Sequence, residues 1–112
     1  MAVGVVSWSQ TAASNATADS GVNWAEGQAP SSINDSSRAE MSSVAKYRDD
    51  NAGSLTTAGT STAFTLTSNQ VFASLSAMSG MTVAFKAHAT NGASATLNVD
   101  SLGAKAIHSV GG

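Results

Sequence analysis

The chain has 112 residues, a formal net charge of −2, only 11% charged residues and no cysteine. That length fits one small domain, or a smaller domain with an arm; the absence of thiols excludes disulfides and thiolate metal sites, and the lack of a basic stripe argues against nucleic acid as a partner. The hydrophobic fraction of 42% owes much to alanine, which buries little area, so a lone monomer has a poor core and contacts with further copies are the expected supplement.

The apolar start Ala2–Val6 has no cationic segment before it and no long apolar run, so it is neither a signal peptide nor a membrane span. Residues 3–9 read as a short strand or extended anchor, with Val6 and Trp8 on one side at period two. Thr11 to Gly21 is a polar connector with turn signals at Asn15, Asp19 and Gly21. Its Asn15-Ala-Thr17 tripeptide fits a glycosylation sequon, a pattern common by chance. Val22 to Ser32 contains Gly27 and Pro30 and reads as irregular extended chain. Residues 1–33 are therefore expected to form an extended arm.

A helix is expected over 34–51. Asn34 would cap it, Asp35 would sit at the positive end of the dipole and Ile33 would staple onto the first turns. Asn51-Ala-Gly53 would end it. Met41, Val44 and Ala45 form its apolar stripe, flanked by Tyr47 and Arg48. The stripe is narrow and the helix rich in serine, so it must be held by packing, against copies of itself among other candidates.

From Leu55 the period becomes two. Phe64 and Leu66 share a face; Met81, Val83, Phe85 and Ala87 share another; Ala95, Leu97 and Val99 share a third. Asn91-Gly92 and Asp100–Gly103 read as turns, and Leu75–Gly80 as a loop or a single helical turn. Residues 55–112 are expected to be an antiparallel β domain with one apolar face. This alternation separates the chain from a disordered one, which is usually depleted in β-formers. The end at Ser109–Gly112, soon after the last strand pattern begins, reads as the head of a longer polypeptide. The fold class expected is α+β: arm, one helix, small antiparallel β domain.

Chemistry-bearing residues are few. His88 and His108 have no second ligand at a metal spacing, and His88 falls on a polar strand face beside Lys86. Asp49 and Asp50 end the helix, an unfavourable place for anions, and so call for a partner such as Arg48 or a cation on another chain. Glu26 and Arg38 could pair and fix the entry of the arm. Trp8 and Trp24 stand among small residues, as interface anchors do. There is no P-loop, nucleophile elbow, metal triad or dinucleotide fingerprint, so no catalytic residue, cofactor or metal site is expected.

The run Trp24-Ala-Glu-Gly-Gln-Ala-Pro30, then Ile33-Asn-Asp-Ser36 with Arg38, then Ala45-Lys-Tyr-Arg-Asp-Asp50, resembles the N-terminal region of tail-fibre proteins of tailed bacteriophages and prophages. Gly59–Ala63 with Thr65–Thr67, Phe85–Ala93, Thr96–Asp100 and Leu102–Lys105 extend the likeness over most of the chain. The resemblance implies a virion structural protein of the tail, an intertwined homotrimer without enzyme activity. Its N-terminal part would attach the fibre to other tail proteins (adaptor, nozzle or baseplate), with Trp8, Trp24, Glu26, Arg38, Tyr47 and Arg48 as anchors. Met41, Val44 and Ala45 would be the oligomer face, residues 55–112 would start the shaft, and a distal region outside this chain would meet the host. No membrane or nucleic-acid partner is implied. The other reading of the β half is a carbohydrate-binding module at a cell surface. Phe64 and Phe85 fall on its apolar faces, which favours attachment over sugar binding.

Overall fold

Pro30 sets the start of the one long helix. In the computed structural model, which describes residues 3–109, α1 runs Ser31–Asn51, so it begins before Asn34. Proline has a helical φ and no N–H to satisfy, which suits the first turn. The next amides donate to Ala29 O (from Ser32, 2.9 Å) and Pro30 O (from Ile33, 3.2 Å). The Ser32 hydroxyl lies 2.7 Å from Ala29 O and 2.8 Å from Gln28 Oε1. Asn34 and Asp35 are thus exposed residues inside the helix rather than its cap. The C-terminal stop lies where expected: Asn51 is the last helical residue, and Gly53 takes the left-handed φ of 74°.

The chain divides into two compact units, Met1–Arg48 and Asp49–Gly112. In the first, residues before α1 do not form the expected strand. Val5–Ser7 and Ala12–Asn15 are 3-10 turns, and Asp19 and Val22 form an isolated antiparallel bridge. Val22 is the one fully buried apolar side chain there among the described residues. Met1, Ala2 and residues 110–112, with the ends of the first and last predicted segments, lie outside the described residues.

The described residues of the second unit hold six short strands: β1 (Leu55–Thr56), β2 (Ala58–Gly59), β3 (Ala63–Leu66), β4 (Phe85–Lys86), β5 (Thr96–Val99) and β6 (Lys105–Ala106), with one helical turn, α2 (Leu75–Met78). Ser74 caps α2, its Oγ accepting from Ala77 N at 3.1 Å. The sheets are mixed, which corrects the antiparallel expectation. One sheet pairs β1 with β4 in parallel; the other has the order β2-β3-β5-β6, with β3 and β5 parallel and both outer pairs antiparallel. The register sets Phe64 against Leu97 and Leu66 against Val99. A parallel pair needs a long crossover, and residues 67–95 supply it.

Two residues explain why the meander fails. Gly92 does not turn a tight hairpin. Its amide donates to Ser61 O at 2.8 Å, and a Cβ there would come within 2.8 Å of the Thr62 methyl. Its smallness lets the crossover lie against the β2–β3 loop. Phe85, expected on an apolar face, is 38% exposed. The final turn is as read. Leu102 N donates to Val99 O at 3.0 Å, and Asp100 and Ser101 between them both have positive φ, 51° and 60°, as in turns that follow strand twist.

Phe64, Leu66, Phe72, Ala95 and Val99 form the buried apolar core of this unit. Two carboxylates pin the crossover beside it. Asp50, fully buried, accepts from Asn69 N (2.8 Å), Asn69 Nδ2 (2.9 Å), Gln70 N and Gln70 Nε2 (both 3.0 Å). Asp100 accepts from Ser68 N (2.8 Å), Ser68 Oγ (2.6 Å) and Phe72 N (2.9 Å). Between them Val71 is held at φ 52°, a costly conformation for a β-branched residue that only firm neighbours sustain. Asp50→Ala would strand four donors. It is expected to destabilise the β unit by about 3 kcal/mol or more, read as a fall in the urea midpoint of the far-UV circular dichroism.

Candidate functional site

The first unit is organised on Asp19. Its Oδ2 accepts from Gly4 N (2.7 Å) and Trp8 Nε1 (2.9 Å), and its Oδ1 from Gly21 N (2.8 Å). Burial raises the carboxyl's pKa, but the bonds from Trp8, Gly21 and Gly4 outweigh it, and the net shift is downward from the ordinary 3.8. The Trp8 indole is thereby fixed in orientation. A second tie closes the loop before it: Asn15 Oδ1 accepts from Ser9 N and its Nδ2 donates to Ser9 O.

α1 has two unlike faces. One carries Ser36, Ala39 and Ser43. Ser36 is buried; its Oγ accepts from Asn23 N (3.0 Å) and lies 3.2 Å from Asn23 O, while Gly4 lies beside Ser43. Small residues are what allow the preceding chain to lie this close. The other face carries the large apolar side chains, and they are open: Met41 is 73% exposed, Val44 51%, Ile33 46% and Tyr47 42%. At about 100° per residue these four fall within roughly a third of the helix circumference. Beside them a groove of about 480 Å³ is lined by Trp8, Glu40, Met41, Val44, Ala45 and Arg48.

The expected anchors are brought together only in part. Trp8 and Arg48 line that groove with the expected oligomer face of Met41, Val44 and Ala45. Trp24 is half-buried; its amide donates to Ala16 O at 2.9 Å, and it lines a smaller cavity of about 50 Å³ with Trp8, Asn15, Asp19, Val22 and Glu40. The Glu26–Arg38 pair is not formed. Arg38 lies 3.5 Å from Asp35, one helical turn away, with both side chains about three-quarters exposed, a pair that contributes little. Glu26 is exposed. Asp50, expected to seek a cation, is satisfied by neutral N–H donors instead.

In the second unit His88 is ordered by its neighbours rather than free on a strand. Its Nε2 lies 3.1 Å from Gly59 O, which can only accept, so Nε2 is assigned the proton. Its Nδ1 then accepts from the Thr57 hydroxyl at 2.8 Å, and Thr57 Oγ1 accepts from His88 N at 2.9 Å. The ring meets Phe64 edge-on, centroids 5.4 Å apart. This is a structural role. His108 is exposed. Among the described residues no three His, Asp or Glu side chains gather as metal ligands would, and no helix is long and apolar enough to cross a membrane.

Comparison with known proteins adds no identity: no family model, curated protein or solved structure matches the chain.

The Asp19 site makes a pH prediction. A carboxyl lowered on folding contributes stability that is fully present above its unfolded value near 3.8 and is lost as pH falls through the lower folded value. Trp8 fluorescence should therefore hold steady at and above pH ~5 and change in a transition below the ordinary carboxylate range. Asp19→Asn should remove that transition and leave the first unit less stable at neutral pH.

Proposed function

We propose that the chain is a structural module of a phage tail fibre, self-associating through α1 and joining the fibre to other tail proteins through its first unit. One observation carries the self-association. The first unit spans 48 residues and, among the described residues, buries a single apolar side chain, Val22, while Ile33, Met41, Val44 and Tyr47 stay open. Units this small need staples or oligomer contacts, and there is no cysteine to supply a disulfide. Exposed apolar side chains on a surface helix are the contact such an assembly uses, and here Ser37, Glu40 and Arg48 share their arc. The number three and the place in a virion tail come from the sequence resemblance. So do attachment by Trp8, Trp24, Tyr47 and Arg48, and the role of residues 55–112 as the start of a shaft.

Supporting the attachment role, the aromatic and arginine side chains that dominate interface energies are concentrated before Asn51: Trp8, Trp24, Arg38, Tyr47 and Arg48. In this reading the protein does no chemistry of its own and needs no cofactor.

Light scattering at micromolar concentration should give three times 11.1 kDa; a well-folded monomer would sink the self-association. Met41→Glu with Val44→Glu places charge on the exposed stripe. It should shift the mass to that of one chain and leave the β-sheet circular dichroism unchanged. A trimer that survives both substitutions would place the contact elsewhere. For attachment, virions whose fibre gene lacks residues 1–30 should assemble tails without fibres.

A further inference from the structure

The small cavity between the two tryptophans has a chemistry that the assembly reading does not use. Its volume is about 50 Å³ and its lining is Trp8, Asn15, Asp19, Val22, Trp24 and Glu40. Its lining has two tryptophans, two acidic residues and no basic one; Trp8 and Glu40 also line the adjoining groove, where Arg48 is the basic residue. We propose that it binds an alkylammonium group, with the Glu40 carboxylate as counter-ion and the indoles as walls.

The assignment follows from which polar groups are already engaged. Asp19 spends its oxygens on Gly4, Trp8 and Gly21. Asn15 spends its amide on Ser9. The Trp8 N–H points at Asp19, so what that ring has left to offer is hydrocarbon and π surface. Glu40 makes no ion pair among the described residues and is half-buried, as are both tryptophans. The cavity's own lining thus offers negative charge and no cation, and tryptophan walls are of the type that attracts a cation through the ring quadrupole. The lowered pKa of Asp19 keeps a second negative charge beside it at neutral pH. An anion would meet two carboxylates. A neutral alcohol of the same shape would gain neither the ion pair nor the cation–π attraction. A cavity holds one water when the water's centre has about 10–15 Å³ of room, so the 50 Å³ here accommodates an ammonium head. The inference does not depend on the assembly reading, since every group in it belongs to one chain.

The test uses the intact chain and its own tryptophans. Fluorescence is titrated with n-butylammonium chloride, with 1-butanol and with sodium chloride at matched ionic strength. A saturable change with the ammonium alone supports the site. No saturable change, or an equal change with butanol, overturns it without recourse to any variant. Glu40→Gln, checked for unchanged circular dichroism, should weaken the ammonium at least tenfold; undiminished binding by that folded variant would remove Glu40 from the role and overturn the proposal. The same titration with a short lysine-containing peptide and its Nζ-acetylated form separates the sources. Tighter binding of the unmodified peptide than of n-butylammonium assigns a lysyl side chain of a partner; weaker binding assigns a free amine.

Discussion

A buried or half-buried carboxylate that gathers N–H and O–H donors is the interaction on which this fold depends. Asp19 takes three, Asp50 four and Asp100 three. Hydrogen bonds to a charged group contribute roughly 1.5–3 kcal/mol each where neutral ones give about 1. In a chain of small residues this matters, because loops without large side chains have little else to fix them. Each carboxylate stands where the backbone would otherwise wander: before α1, at its last turn, and at the turn after β5. The converse is fragility. Removing one such group leaves several donors unmet at once.

The two units use this device in different proportions. The second combines Asp50 and Asp100 with five buried apolar side chains, so its crossover is held by charge on one side and by packing on the other. That double hold keeps Val71 in a strained, exposed conformation. The first has Asp19 and Val22 and little besides. Its helix gives the close contacts to serine and alanine and turns its large apolar side chains outward. In the proposed assembly that outward face is the contact.

Two of the three periodic runs are legible. Phe64 and Leu66 are read onto one face and both are buried; Ala95 and Val99 are buried with Leu97 half-buried between them; the run Met81–Ala87 fails, with Phe85 and Ala87 exposed; the stop at Asn51-Ala-Gly53 and the turn at Asp100–Gly103 lie where their residues place them. The errors have identifiable causes. Asn34 is a good cap by type, but Pro30 upstream is a better start. Alternation cannot state strand direction, and β3 and β5 pair in parallel because Gly92 packs the crossover back on Ser61 and Thr62. The carboxylate hubs are the largest omission. Asp19 and Asp100 are read as turn formers, which is true of their backbones. Apart from the local bond from Gly21 to Asp19, their side chains act over 11 to 32 residues of sequence, a range at which no local pattern operates. The nearest available signal was negative: an acidic pair at a helix C-terminus, unfavourable unless something receives it.

An open apolar stripe on a unit with almost no core has a thermodynamic consequence that distinguishes it from a merely sticky surface. If α1 is completed by other copies, folding of the first unit and association are linked, and stability follows protein concentration by mass action. The second unit has its own core and its own carboxylate ties, and no such linkage is built into it. The two halves of the chain should then differ in kind: the β unit keeps one unfolding midpoint at every concentration, while the Asp19 unit gains stability as the chain is concentrated. A surface that was exposed by accident would leave both indifferent to concentration. The contrast therefore follows from where the apolar area sits, with Phe64, Leu66 and Phe72 inside one unit and Met41 and Val44 outside the other.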